Sequence, residues 1–265
     1  MVDVHAHGAA AGDLAPSARA AGTEEAVRVY GRGPTAVRAL DGVTLDLAAG
    51  AFTAIMGRSG SGKSTLLHCL AGLDNLTSGR VFLGETELST LDDRQLTLLR
   101  RQRIGFIFQN YNLLPTLTAI DNITLPSRIR GQDPDQAWID HLSGVTGLRG
   151  RLRRFPAELS GGEQQRVAAV RALATRPDVV YADEPTGNLD RRSSASLVNF
   201  LRDAVAEFGQ TVVMVTHNPE VAAYAGRVIF LSDGRLADEL AEPSSAGILD
   251  AMKELEARRA AGSRC

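Results

Sequence analysis

Apolar positions fall into two rhythms along this chain. Between residues 26 and 47, β-branched and apolar residues alternate around the turn Gly31-Arg32-Gly33-Pro34, and Val43, Leu45 and Leu47 keep the period of two. That alternation predicts an antiparallel edge sheet. Phe52-Thr53-Ala54-Ile55-Met56 is instead a nearly unbroken apolar run, and Leu66, Leu67, Leu70 and Ala71 follow it at helical spacing. A polar helix is expected over 91–103 and a strand over 104–108. From 118 to 154 the pattern is largely helical with breaks at Pro126, Gly131 and Pro134, and it reads as a helical lobe inserted over about 110–160. Two further apolar strands, 179–182 and 211–216, flank a helix over 193–208. Buried runs alternating with helices imply a mainly parallel sheet covered on both faces.

The two ends read differently. Residues 1–23 are rich in Ala and Gly without a sustained period, and a disordered leader is expected there. The ordered domain is expected over 24–240, followed by a tail over 241–265 whose residues 248–258 form a short amphipathic helix. His5 and His7 lie in the leader and carry no metal reading. The formal net charge of -2 offers no global attraction for nucleic acid, and the densest basic cluster, Arg151, Arg153 and Arg154, reads as a solvated face. Cys69 and Cys265 are the only cysteines, too few for a disulfide framework or a metal-spaced cluster, which fits a reducing compartment. No run approaches the roughly 18 apolar residues of a spanning helix, so membrane contact is expected through a partner rather than by insertion.

The chemistry is concentrated in two segments. Gly57-Arg58-Ser59-Gly60-Ser61-Gly62-Lys63-Ser64-Thr65 satisfies G-x-x-x-x-G-K-[ST] between an apolar strand and an apolar helix, the context this motif demands. A phosphate tail needs many donors converging without side chains in the way, and Gly57, Gly60 and Gly62 let consecutive backbone N–H groups turn inward. Lys63 would place its charge on the β- and γ-phosphates, and the Ser64 hydroxyl would ligate Mg²⁺. Tyr181-Ala182-Asp183-Glu184-Pro185 brings two acids to the C-terminal end of a strand, where open α/β sheets bind ligands. Asp183 would hold Mg²⁺ through water and Glu184 would polarise an attacking water. Two acids after a strand commonly cap a helix instead, but the glycine loop beside them favours chemistry. His217, ending another strand, could bond a γ-phosphate and hold Glu184 in line, or could simply be satisfied by backbone. His68 and His141 read as structural.

Between these segments lies Leu159-Ser160-Gly161-Gly162-Glu163-Gln164-Gln165-Arg166. With the glycine loop before it and the paired acids after it, this signature resembles the ATPase domain of ABC transporters over about residues 26–238. The resemblance implies an α/β P-loop NTPase core with a mainly parallel sheet, an antiparallel β edge subdomain and an inserted helical subdomain. It implies ATP and Mg²⁺ as ligands, Gln109 lining Mg²⁺ and the lytic water, and Tyr30 stacking on adenine. It further implies a head-to-tail dimer in which Ser160, Gly161 and Gly162 of one copy cap the γ-phosphate held by the other, with Asn188-Leu189-Asp190 crossing the seam. A separate membrane permease is the implied partner, which would hold the chain on the inner face of the cell membrane.

The stretches 106–115 and 117–123 are similar to exporter ATPases of the macrolide, antimicrobial-peptide and lipoprotein-releasing group, from which Arg58 departs at a position usually Pro or Ser. A cell-division-type ATPase that regulates a cell-wall hydrolase is an alternative the residues do not separate from an exporter. A soluble role in DNA repair or translation is the other, though neither the long coiled coil nor the second ATPase unit of those proteins is present.

Overall fold

The computed structural model describes residues 19–262. Six strands form the central sheet: β3 (Phe52–Met56), β6 (Ile104–Phe108), β7 (Val179–Asp183), β8 (Thr211–Val215), β9 (Arg227–Ser232) and β10 (Arg235–Ala241). Their order is β10-β9-β3-β8-β7-β6, parallel throughout except for the antiparallel β9–β10 pair. Side chains along each strand divide by parity. Ala54, Met56, Val180, Ala182, Val212 and Met214 enter one core; Ile55, Val179, Tyr181, Val213, Val215 and Ile229 enter the other. Both faces are covered, which is why these strands read as continuous apolar runs rather than alternations.

The second core is closed by α1 (Lys63–Leu70) and by an antiparallel sheet of order β2-β1-β4-β5, built from β1 (Arg19–Tyr30), β2 (Val37–Ala48), β4 (Ser78–Leu83) and β5 (Thr86–Glu87). Strand β1 begins at Arg19, so the leader expected over 1–23 fails at its last five residues: Ala21 and Thr23 are buried and paired to β2. Alanine and glycine carry little strand propensity, so only the cross-strand neighbours reveal that segment as sheet. Residues 1–18 of the expected leader lie outside the described residues.

The first core is covered by α3 (Ala119–Ile129), α4 (Gln136–Val145), α5 (Gly161–Leu173) and α6 (Arg191–Phe208). The expected break at Pro126 does not occur, because α3 runs through it to Ile129. Packing of α3 on α5 offsets the one hydrogen bond that proline forfeits. The polar helix α2 (Asp93–Arg103) starts at an Asp92–Gln95 capping box. A short α7 (Pro219–Ala222) follows His217, and the tail forms α8 (Ser245–Gly262), longer than the helix expected over 248–258. Ile248 is fully buried in the first core, which anchors α8 to the domain.

The Tyr181 hydroxyl donates to the Leu70 carbonyl across 3.2 Å, joining the middle of β7 to the end of α1. Removing it by Tyr181→Phe leaves that carbonyl without its buried donor, and stability should fall by about 1 kcal/mol. Urea unfolding of the two proteins measures the difference; equal midpoints and slopes would refute the tie.

Candidate functional site

Strand β3 ends at Met56, and the chain turns through the glycine loop into α1. Gly57 and Gly62 hold φ of 152° and 100°. A β-carbon at either would come within 2.3 Å of a backbone carbonyl, that of Leu231 or of Ala39. The loop is thus packed between β9 and β2 at a distance that side chains do not permit. Lys63 opens α1, and its Nζ donates to the Arg58 carbonyl at 2.8 Å, spanning the loop. Burial pulls the Lys63 pKa below the ordinary lysine value, against the opposing charges of Glu184 and Asp183. An ammonium held in so dry a place gains strongly from an arriving anion. Ser64 Oγ donates to Asp183 Oδ1 across 3.0 Å, joining the loop to the end of β7.

Beyond Asp183 the chain makes a tight reversal at Glu184, which adopts φ of 46° and donates its N–H to the Val215 carbonyl of β8 at 3.0 Å. Its carboxylate meets His217 Nδ1 at 2.9 Å and 3.0 Å from the two oxygens. Glycine loop, Lys63, Ser64, Glu184 and His217 line one cleft. A glycine loop, a buried lysine and a carboxylate–imidazole pair are therefore brought to one cleft.

The helix α5 begins elsewhere. Ser160 is its N-cap: Ser160 Oγ accepts from the Glu163 N–H, while the Glu163 carboxylate accepts from the Ser160 N–H at 2.8 Å. The bond from the Ser160 N–H, then that from Arg151, holds the Glu163 carboxyl down at about 2. Ser160, Gly161 and Gly162 do not line the cleft of Lys63 and Glu184. Their helix N-terminus, a favourable seat for an anion, lies instead beside Tyr111 and Ser193.

Residues 40–187 match the family described as ABC transporter, a span of more than half the chain. The chain belongs to the ABC transporter family. Its chemistry is ATP hydrolysis. It is 44% identical over 215 residues to the lipoprotein-releasing system ATP-binding protein LolD of Bordetella avium, covering 80% of this chain and 94% of that one. It is also 44% identical over 218 residues to the macrolide export ATP-binding/permease protein MacB of Hyphomonas neptunium, covering 82% of this chain and 34% of that larger one. Among solved structures, the dimeric bacterial ABC transporter cassette MJ0796 superposes with a TM-score of 0.78 at 38% identity, covering 84% of this chain and 99% of that one. A dimeric post-hydrolysis form of the same cassette, bound to ADP and Pi, gives a TM-score of 0.77.

In this ABC cassette the remaining expected residues occupy varied positions. Gln109 follows β6, but its side-chain amide lies against Gly187, where a β-carbon would come within 2.8 Å of its Nε2, and it does not line the phosphate cleft. Asp190 caps α6: its carboxylate accepts from the Ser193 N–H at 2.9 Å, the bond that chiefly lowers its pKa. Tyr30 is 40% exposed, with the Arg28 guanidinium 4.6 Å from its ring centre and its hydroxyl bonded to Asp74. Val37, directly across the sheet from Tyr30, lines the cleft.

Several neighbours of the site were not read from the sequence. His68, read as structural, places Nε2 3.5 Å from Asp183 Oδ2; its place on the exposed side of α1, one turn after Ser64, was the available signal. His141 does sit in an aromatic cluster with Trp138 and Phe208. Helix α8 brings Met252 to the cleft wall and Glu256 to 3.8 Å from Arg58, while Arg259 pairs with Asp233 at 2.8 Å. No local pattern in the tail foretells that contact.

The capping box gives a test of the signature helix. Because folding depresses the Glu163 pKa, its stabilisation is complete above the unfolded carboxylate value of about 4.3 and is lost as pH falls toward about 2. Glu163→Gln should cost about 1 kcal/mol near neutral pH, and the gap to the native protein should close as pH drops below about 4. Chemical unfolding across that range reads it directly, and a gap independent of pH would contradict the assignment.

Proposed function

We propose that this ATPase works as a head-to-tail pair of identical chains around two ATP molecules and drives a separate membrane permease from the inner face of the cell membrane, in export or mechanotransmission. The observation that carries the reading is the division of the site. One cleft is lined by Lys63, Ser64, Glu184 and His217, while Ser160, Gly161 and Gly162 of the same chain take no part in its lining. A γ-phosphate bound in such a cleft lacks the second helix N-terminus that would complete its cage, and a second copy supplies one. The dimeric form of the similar cassette MJ0796 supports this. The functions named for the relatives, lipoprotein release and macrolide export, support export over a cell-division or soluble role. Among the described residues no helix is long and apolar enough to cross a membrane.

In this mechanism the backbone N–H groups of Gly57 to Thr65 surround the phosphates, and Lys63 exchanges the Arg58 carbonyl for phosphate oxygens. The convergence of Ser64 Oγ and Asp183 Oδ1, two hard oxygen donors 3.0 Å apart, suits Mg²⁺, which takes few protein ligands beside phosphate. When bound, the ion would neutralise charge on the phosphates; Ser64 and Asp183 would hold it, with Gln109 swinging in from Gly187. Glu184 takes the proton of the attacking water, and His217 keeps the carboxylate oriented. Tyr30 offers its ring to adenine beside Val37, and Asn188-Leu189-Asp190 lies where the seam would run. Closure is driven by ATP insofar as ATP binds the closed pair more tightly than the open one.

Glu184→Gln should lower turnover about 100-fold or more while retaining ATP, and light scattering should show an ATP-dependent shift from monomer to dimer. Undiminished hydrolysis would overturn the role of Glu184. Lys63→Ala should weaken ATP affinity about 10- to 100-fold; unchanged affinity in nucleotide titration would exclude Lys63 from the phosphates. Mixing a Ser160→Arg chain with a Glu184→Gln chain should permit one closed composite site, and equal trapping by Ser160→Arg alone would refute the sandwich.

A further inference from the structure

Inside the second turn of α5 lies a glutamine that neither the nucleotide cleft nor the signature cap accounts for. Gln165 is completely buried. Its Nε2 donates to two backbone carbonyls, that of Pro185 at 2.6 Å and that of Phe108 at 3.3 Å. Phe108 immediately precedes Gln109, and Pro185 immediately follows Glu184. The two loops leave adjacent parallel strands, with Phe108 of β6 opposite Asp183 of β7. One amide thus spans the gap between the segments that present both residues assigned to the lytic water.

Core packing does not explain the choice of side chain. Gln165 Oε1 is buried without a partner, and an apolar side chain of the same shape would fill the space without that unfavourable burial. What an apolar residue cannot do is donate to the two carbonyls. The same helix grips the first loop again further on, where Arg171 donates to the carbonyls of Tyr111 and Asn112 at 2.8 Å and 2.6 Å. Of these two side chains, only Gln165 also bonds to the loop after Glu184.

We propose that Gln165 is a positioning residue for hydrolysis: its amide fixes the spacing of the loops bearing Gln109 and Glu184 and ties both to the helix that begins at Ser160. The inference rests on the roles proposed above for Gln109, Glu184 and Ser160. Displacement of α5 by a second copy at its N-terminus is passed through this amide to the hydrolytic loops of its own chain, so capping one nucleotide adjusts the geometry around the other. The coupling is mechanical, and its effect falls on turnover rather than on ATP binding, because Lys63 and the glycine loop stand on β3 and α1, outside the tie.

Gln165→Met keeps the side chain's length and volume while removing both donors. In the full chain with ATP and Mg²⁺, kcat per folded molecule should fall about 10- to 100-fold with KM for ATP held within about twofold. An unchanged kcat per folded molecule, or a KM that rises in step with the loss, would overturn the proposal, since a merely structural residue would lower Tm and the folded fraction alone. Should the methionine variant not fold, the same split is read on Gln165→Asn, which keeps the amide on a shorter arm. Glu184→Gln is run alongside. If it hydrolyses ATP normally, the site assignment itself fails; if it is inert while the Gln165 variants retain the native kcat, only the positioning role fails.

Discussion

Everything chemical in this chain depends on the parallel register of three strands. Ile55 of β3 lies opposite Val215 of β8, and Val215 lies opposite Asp183 of β7. Asp183 stands in that row, Glu184 follows it directly, and the glycine loop and His217 begin just past Met56 and Thr216. The register is locked at the row itself, where the Glu184 N–H bonds to the Val215 carbonyl and the Thr216 N–H to the Ile55 carbonyl. Because side chains alternate faces, a slip of one residue would exchange the contents of both cores. The cores therefore hold the active geometry in place, and strand burial and catalytic alignment are one constraint.

Electrostatics follow from that alignment. Lys63 stands in a dry cleft with Glu184 and Asp183 as its nearest opposite charges, and its lowered pKa says that burial costs it more than those acids return. Asp183 is already bonded to Ser64, and Glu184 to His217. Lys63 itself donates to the neutral Arg58 carbonyl, so an arriving anion would relieve it, which is the role proposed above for the phosphate chain. On that proposal, affinity for the nucleotide and an imperfect resting electrostatic balance are two aspects of one arrangement.

The sequence showed the chemistry more completely than the architecture around it. The glycine loop, Glu184 and His217 were legible because each follows the apolar run of a strand, and the structure brings them to one cleft, with Asp183 bonded to Ser64 of its lining. Strand β1 was misjudged at Arg19–Thr23 because small residues gain their strand character from the neighbouring sheet rather than from propensity. Pro126 was over-read, since a missing N–H is tolerable in a helix held by tertiary packing. Met252 and Glu256 were invisible for another reason: about 190 residues separate them from the glycine loop they approach, and no local rule reaches across that distance. Tyr30 and Gln109 do not line the cleft, and the partners they hold here are Arg28, Asp74 and Gly187.

Glu184 shows why so much of the chain serves one side chain. A left-handed backbone at a non-glycine residue costs roughly 1–2 kcal/mol, and glycine would remove that cost along with the carboxylate. The strain is offset locally by the bond to Val215 and by the tight turn that returns the chain toward Gly187, whose N–H bonds to the Glu184 carbonyl at 3.0 Å. In that conformation the carboxylate leaves the strand's own alternation and turns toward His217 instead of into either core. A residue following the ordinary pleat could not stand beside Asp183 and also face the cleft. The backbone strain at Glu184 is thus the geometric condition for two adjacent acids to serve different ends: Asp183 beside Ser64, and Glu184 beside the histidine.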